Sequence, residues 1–210
     1  MTPPTRQDAA NAMIRAARQF YQWKWLMGTS GNLSVRLSEQ TFLITASGKD
    51  KGHLTQGDFL TCDLQGNPTQ PTTLRPSAET LIHCTIYARF PQAHAIYHTH
   101  EPFAALCGAR DASPLGYTEF RGWEMIKGLG FWEQDARARV PVLDNWADLE
   151  RVAQDVDALL SAPLEHMAPA LNLERHGAYA WGDDPFAAKR HMESLGYLFE
   201  QSWRWGQHSS

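Results

Sequence analysis

The sequence predicts an α/β fold in which helices lie in layers on one central sheet of short strands. Three observations predict it. Segments near both ends repeat apolar residues at helical spacing. Between them, six or seven short runs of β-branched and aromatic residues are separated by turn letters, which read as strands. The 210 residues, 43% hydrophobic and 20% charged, suit one ordinary globular domain, 1–210, because no repeat, linker or low-complexity stretch divides them.

The first helix is predicted over Arg6–Leu26, where Ala10, Met13, Ile14, Ala17, Phe20, Tyr21 and Trp25 fall on one side and Gly28 is the stop. Leu33–Leu37 and Thr41–Ala46 form a hairpin turning at Ser38, Glu39 and Gln40. Phe59–Leu64 is a strand ended by the turn Gln65–Pro68, and Ser77 caps a helix to about Arg89. Ala93–Thr99 is a strand, and Pro102 suits the first turn of a helix to about Ala109. Val140–Leu143 is a strand and Asp148–Leu160 a helix with Leu149, Val152, Val156 and Leu159 on one side. Ala170–Leu173 and Ala178–Trp181 are strands flanking Glu174–Gly177, and Asp184 caps a closing helix to about Trp203. Strand order does not follow from these spacings.

The charge balance, 19 Lys+Arg against 23 Asp+Glu, gives −4 and no long run of either sign, which argues against a nucleic-acid or anionic-membrane binder. No stretch approaches the ~18 apolar residues of a membrane span. The start, MTPPTRQDAANAM, lacks the apolar core of a secretory signal. Cys62, Cys84 and Cys107 form no CxxC and suit a reducing compartment, so a cytoplasmic protein is expected. The conspicuous counts are 9 His and 8 Trp.

Chemistry concentrates in a few segments. His98-Thr99-His100 ends an apolar strand, so both imidazoles project from one face, with Cα atoms about 7 Å apart, close enough to share one metal ion. His176, in the turn between two late strands, is a candidate third ligand. His53, His83, His94, His166, His191 and His208 have no such pairing and read as surface or packing residues, and the three cysteines as small core residues. Gly28-Thr29-Ser30-Gly31-Asn32 offers backbone N–H groups and hydroxyls to an anion, although a helix-exit turn accounts for the same letters. Thr45–Lys49 (TASGK) adds a hydroxyl and a cation at a strand end. Arg75–Glu79 (RPSAE) puts Ser77 and a carboxylate at a helix N-terminus, where capping alone also explains them. Glu124 is either a general base or a solvated acid. The GxSxG elbow, the GxGxxG fingerprint and the P-loop are absent.

In order, GTSGN, ASGK, RPSAET, HTH and a late RHG resemble the class II (zinc-dependent) aldolase family over nearly the whole chain. That resemblance implies a three-layer α/β/α fold with a central, mainly antiparallel sheet, and a homotetramer with sites near subunit interfaces. It implies Zn2+, one per subunit, on His98, His100 and His176, with Glu79 as a further ligand or acid/base. A sugar phosphate would rest its phosphate on Thr29, Ser30, Gly31 and Asn32, with Ser47, Gly48 and Ser77 adding donors and Lys49 a counter-charge. Two further segments, WEMIKGL at Trp123–Leu129 and LNLERHGAYAWG, resemble the branch of the family that removes water from a ketose 1-phosphate. In that branch Glu124 would take the C3 proton and return it to the departing C4 hydroxyl. The rivals are a sugar-phosphate aldolase or 4-epimerase, for which Tyr117 would stand in for a tyrosine from a neighbouring subunit, and an adducin-like interaction module without zinc. The three histidines argue against the second. A closed structural zinc site fares poorly, since it usually wants four Cys/His ligands.

Overall fold

The computed structural model of the chain describes residues 4–113 and 116–208, with side chains to 206, so His208 lies outside the described side chains. Its strands are β1 (Asn32–Arg36), β2 (Thr41–Thr45), β3 (Phe59–Asp63), β4 (Ala95–Thr99), β5 (Tyr117–Arg121), β6 (Arg137–Leu143), β7 (Ala170–Leu173) and β8 (Gly177–Gly182). They join one eight-stranded sheet in the order β3-β2-β1-β4-β8-β7-β6-β5. Every neighbouring pair is antiparallel except β6 and β7.

Helices α1 (Arg6–Gln22), α3 (Pro102–Asp111) and α5 (Pro185–His208) cover one face of the sheet. Helices α2 (Thr80–Arg89) and α4 (Leu149–Ser161) cover the other. This is the expected α/β/α sandwich, and strand alternation builds it: Tyr97, Ala178 and Ala180 point into the first core, Ile96, Tyr179 and Trp181 into the second. Met13 and Phe20 of α1 are fully buried, each contributing about 1.5–3 kcal/mol of hydrophobic stabilisation.

Four expectations needed correction. The sheet has an eighth strand, β5, at its edge. Its five residues alternate, with only Thr118 and Phe120 buried, so no apolar run announces it. Helix α1 stops at Gln22 rather than Leu26, because Lys24 already takes a left-handed turn (φ 64°); Gly28 takes the left-handed conformation expected of it (φ 60°) further on. Helix α2 starts at Thr80 with Glu79 as its first flanking residue, and Ser77 instead accepts a bond from the Glu79 N–H (3.3 Å). Helix α5 continues to His208, beyond Trp203.

Candidate metal centre

The sheet delivers the histidines to one point. His98 lies near the outgoing end of β4, between Asn32 on β1 and Tyr179 on β8 in register. His100 follows just past the strand, and the β7–β8 turn brings His176 alongside. The three Nε2 atoms form a triangle with sides of 3.0, 3.1 and 3.3 Å. One Glu79 oxygen lies 3.0 Å from His176 Nε2, the other 3.7 Å from His98 Nε2.

Two glycines make this convergence possible. A Cβ on Gly177 (φ 156°) would sit 2.1 Å from the Thr99 carbonyl oxygen, so only glycine lets the His176 turn press against β4. A Cβ on Gly31 (φ 69°) would meet Leu26 at 2.3 Å and the His98 carbonyl at 2.7 Å. The small-residue loop is thereby fixed directly to the histidine strand. Thr29 beside it also has a positive φ of 67°, a strained backbone of the sort that collects at functional sites.

The tautomers are set from behind. The Nδ1–H of His98 donates to the Ala178 carbonyl (3.0 Å), and that of His176 to Asn145 Oδ1 (3.2 Å). Their Nε2 atoms are then bare lone pairs, and acceptors facing acceptors repel unless a cation lies among them. Ligands on a tetrahedral zinc at about 2.0–2.1 Å stand roughly 3.4 Å apart, close to this spacing. Glu79 and the three histidines therefore have the chemistry and the mutual distances of a metal-binding group. Burial keeps His98 and His100 neutral: His98 is held well below its ordinary value, and His100 is lowered to about 4. Burial alone would raise the Glu79 carboxyl, but the facing imidazoles, His98 foremost, bring it below the usual carboxylate range. The ring of Tyr179 stacks on His98 at 4.0 Å.

Beside the histidines opens a cleft of about 310 Å³. All seven residues expected to hold a phosphate, Thr29, Ser30, Gly31, Asn32, Ser47, Gly48 and Ser77, line it, together with Glu79 and His100. Lys49 does not line it. Its ammonium is turned away onto Asp58 (2.9 Å), so the expected counter-charge is misplaced. Lys51, which sequence reasoning missed, lines the cleft instead. Its side chain is 2% exposed, and its ammonium donates to the carbonyls of Thr29 (2.9 Å) and Lys49 (3.0 Å). Burial lowers it to about 8. The available signal was Gly52: a Cβ there would meet the Tyr21 ring at 2.6 Å, so the chain turns tightly against α1 and swings Lys51 inward.

Glu124 is not brought to this centre within one chain. It opens the 3-10 turn Glu124–Leu129, is 81% exposed and pairs with Lys127 at 2.7 Å. It lines a second cleft, of about 380 Å³, with Trp123, Ile126, Phe131 and Trp132, and the two clefts share no lining residue. Tyr117 stands on the edge strand with the Arg139 guanidinium 4.9 Å above its ring.

Comparison with known proteins adds a family. The Class II Aldolase and Adducin N-terminal domain matches residues 11–203. The chain is 39% identical over 201 residues to a methylthioribulose-1-phosphate dehydratase of Microcystis aeruginosa, covering 91% of this chain and 93% of the relative. A dehydratase of the same name from Persephonella marina is 38% identical, covering 93% and 89%. Among solved structures, YgbL of Klebsiella pneumoniae superposes with a TM-score of 0.81 at 22% identity, covering 97% of this chain and 92% of that one. The L-fuculose-1-phosphate aldolase of Thermus thermophilus does so with a TM-score of 0.73 at 25% identity, covering 96% of each. These structural likenesses speak to the fold.

Proposed function

The chain belongs to the class II aldolase and adducin family, and within it we propose that the protein is a methylthioribulose-1-phosphate dehydratase, a lyase of methionine salvage. The reading converts 5-methylthioribulose 1-phosphate into 2,3-diketo-5-methylthiopentyl 1-phosphate. Near-full-length identity to dehydratases supports the reaction. The observation that carries the chemistry is the triangle of three facing imidazole Nε2 atoms, at least two of them bare lone pairs, beside a donor-lined cleft.

His98, His100 and His176 would hold the metal, with Glu79 contributing an oxygen, and zinc suits this nitrogen-rich set. The chemistry a bound zinc supplies there is Lewis acidity, which makes a hydrogen beside a carbonyl removable. The remaining work falls to the chain. Backbone N–H groups and hydroxyls of Thr29–Asn32, Ser47, Gly48 and Ser77 take the phosphate oxygens, and the Lys51 ammonium supplies the positive charge of that pocket. Glu124 takes the C3 proton, leaving an enediolate across C2 and C3. The same carboxylic acid then protonates the departing C4 hydroxyl. One water leaves, and the resulting enol becomes the 2,3-diketone, so one carboxyl group serves as base and then acid.

Because Glu124 faces a different cleft in its own chain, the reading places it at the histidines of a neighbouring subunit in a homotetramer. Its exposure, next to a Trp132 that is 70% exposed, suits a surface that a second copy covers. We assign the enzyme to the cytoplasm and to a small-molecule partner only, without nucleic acid or membrane. Among the described residues no helix is long and apolar enough to cross a membrane.

Incubating the zinc-loaded protein with 5-methylthioribulose 1-phosphate tests the assignment by mass spectrometry. A product lighter by one water is expected. Cleavage into two fragments, or recovery of an epimer, would replace the dehydratase with an aldolase or epimerase of the same fold.

A further inference from the structure

Glu79, His83 and Tyr87 are spaced by four residues and form one stripe of the α2 segment. Asn32, Ser34 and Arg36 alternate along β1 and form one stripe of that strand. The two stripes are zipped together. Asn32 Nδ2 donates to Glu79 Oε2 (2.5 Å), and His83 Nε2 meets Asn32 Oδ1 (2.5 Å). Ser34 Oγ meets His83 Nδ1 (2.7 Å) and the Tyr87 hydroxyl (2.8 Å). Arg36 closes the row by donating to the Tyr87 carbonyl (2.8 Å) with its guanidinium 4.5 Å over the Tyr87 ring.

Only one arrangement of protons satisfies this row. The Glu79 carboxylate can only accept, so Asn32 must offer it the NH2 group and turn its carbonyl toward His83. That carbonyl also only accepts, so His83 Nε2 must carry hydrogen. His83 is 0% exposed; its burial outweighs the opposing pull of the Glu79 carboxylate and keeps its ring neutral, lowered to about 3. Its Nδ1 is therefore bare and accepts from the Ser34 hydroxyl, whose oxygen in turn accepts from Tyr87. Each residue dictates the orientation of the next, and the last one dictated is the carboxylate at the histidine centre.

We propose that His83 is a positioning residue: as the neutral Nε2–H tautomer it locks the Asn32 amide and thereby aims the Glu79 carboxylate at the metal group. One Glu79 oxygen is occupied by Asn32, which leaves the other, Oε1, for the centre. The inference rests on the metal reading above and assigns a function to a histidine that the sequence presents as mere packing. Residues that orient metal ligands in this way typically matter 10–100-fold in affinity.

The test uses the full-length zinc protein, with zinc affinity measured by chelator competition. His83→Leu removes the donor and is expected to weaken zinc about 10–100-fold. His83→Gln restores an N–H at the Nε2 position and is expected to stay within about threefold of the parent. Equal affinities in parent and His83→Leu, or a His83→Gln protein as weak as His83→Leu, would overturn the relay. A parent that binds no zinc would overturn the metal centre itself, a distinguishable failure. Nitrogen-15 NMR of the unmutated protein gives an independent readout: His83 should show the Nε2–H tautomer and no titration between about pH 5 and 8. A protonated Nδ1 there would also overturn the relay, whether or not either variant folds.

Discussion

The two clefts differ in how much of their geometry one chain supplies. The histidine cleft is fixed by strand register, by two glycines pressed against β4 and by a buried row of hydrogen bonds. The Glu124 cleft is built from a single 3-10 turn and partly exposed aromatics, with the acid itself 81% in solvent. One region is preorganised for ligation; the other is a surface that lacks its opposing wall. On the proposed reading, a reaction needing both is completed where two copies meet, which gives the comparison its sharpest tests.

The largest effect belongs to the preorganised side. His98→Ala removes one imidazole of the triangle and should abolish tight zinc binding, with activity down by at least about a thousandfold. Glu124→Gln should keep zinc at parental affinity and lose about 10²–10⁴ in kcat, because the amide can neither take nor return the proton. Mixing the two inactive proteins under conditions that exchange subunits would then break or make the comparison. If Glu124 serves a neighbour's histidines, about a quarter of the sites in a random mixture pair an intact cluster with an intact glutamate, and activity returns. Silence from a mixture shown to exchange would place both residues in one chain.

How legible each region was follows the same divide. The histidine strand could be read because apolar runs and HxH spacing are local signals. The layers followed from periodicity at both ends of the chain. Strand order did not, since it depends on contacts far apart in sequence, and β5 was missed because Tyr-Thr-Glu-Phe-Arg buries only two residues. The seven residues expected to hold a phosphate were legible as small-residue clusters that line one cleft, yet nothing local separated Lys49 from Lys51; the tertiary contact of Gly52 with Tyr21 decides that. The pattern Asn-x-Ser-x-Arg opposite Glu-x3-His-x3-Tyr was present in the letters. Its meaning required knowing that β1 and α2 face each other.

The buried row also makes the metal-free protein acid-sensitive. Burial holds His83 at about 3, below the ordinary value near 6.5, so the unfolded chain accepts a proton below pH 6.5 that the folded chain refuses until about pH 3. Stability is therefore unaffected by this group above pH 6.5 and falls as pH drops through that window. His100, lowered to about 4, acts in the same direction. For His83 alone the loss is roughly 2 kcal/mol by pH 5, at about 1.4 kcal/mol per pH unit. Urea midpoints of chelator-treated protein should decline between pH 7 and 5, and His83→Gln should flatten part of that slope. An unchanged slope would mean that other groups carry it.

The smallest effect separates two lysines that lie two positions apart. Lys51→Met deletes the buried ammonium lining the cleft beside the histidines, whereas Lys49→Met deletes one already committed to Asp58. Exposed ion pairs contribute about 0–1 kcal/mol, so losing Lys49 should leave KM and kcat within about twofold of the parent. A charge-assisted bond to a phosphate is stronger, and losing Lys51 should raise KM about tenfold with a smaller change in kcat, since the phosphate end does not react. Lys51 also ties Thr29 to Lys49 through two carbonyls, so a purely structural role predicts something different: a lower melting temperature with KM unchanged. Comparing the substrate with its dephosphorylated form separates the two roles. If Lys51 meets the phosphate, the variant loses discrimination between them; if it only braces the loop, discrimination is kept.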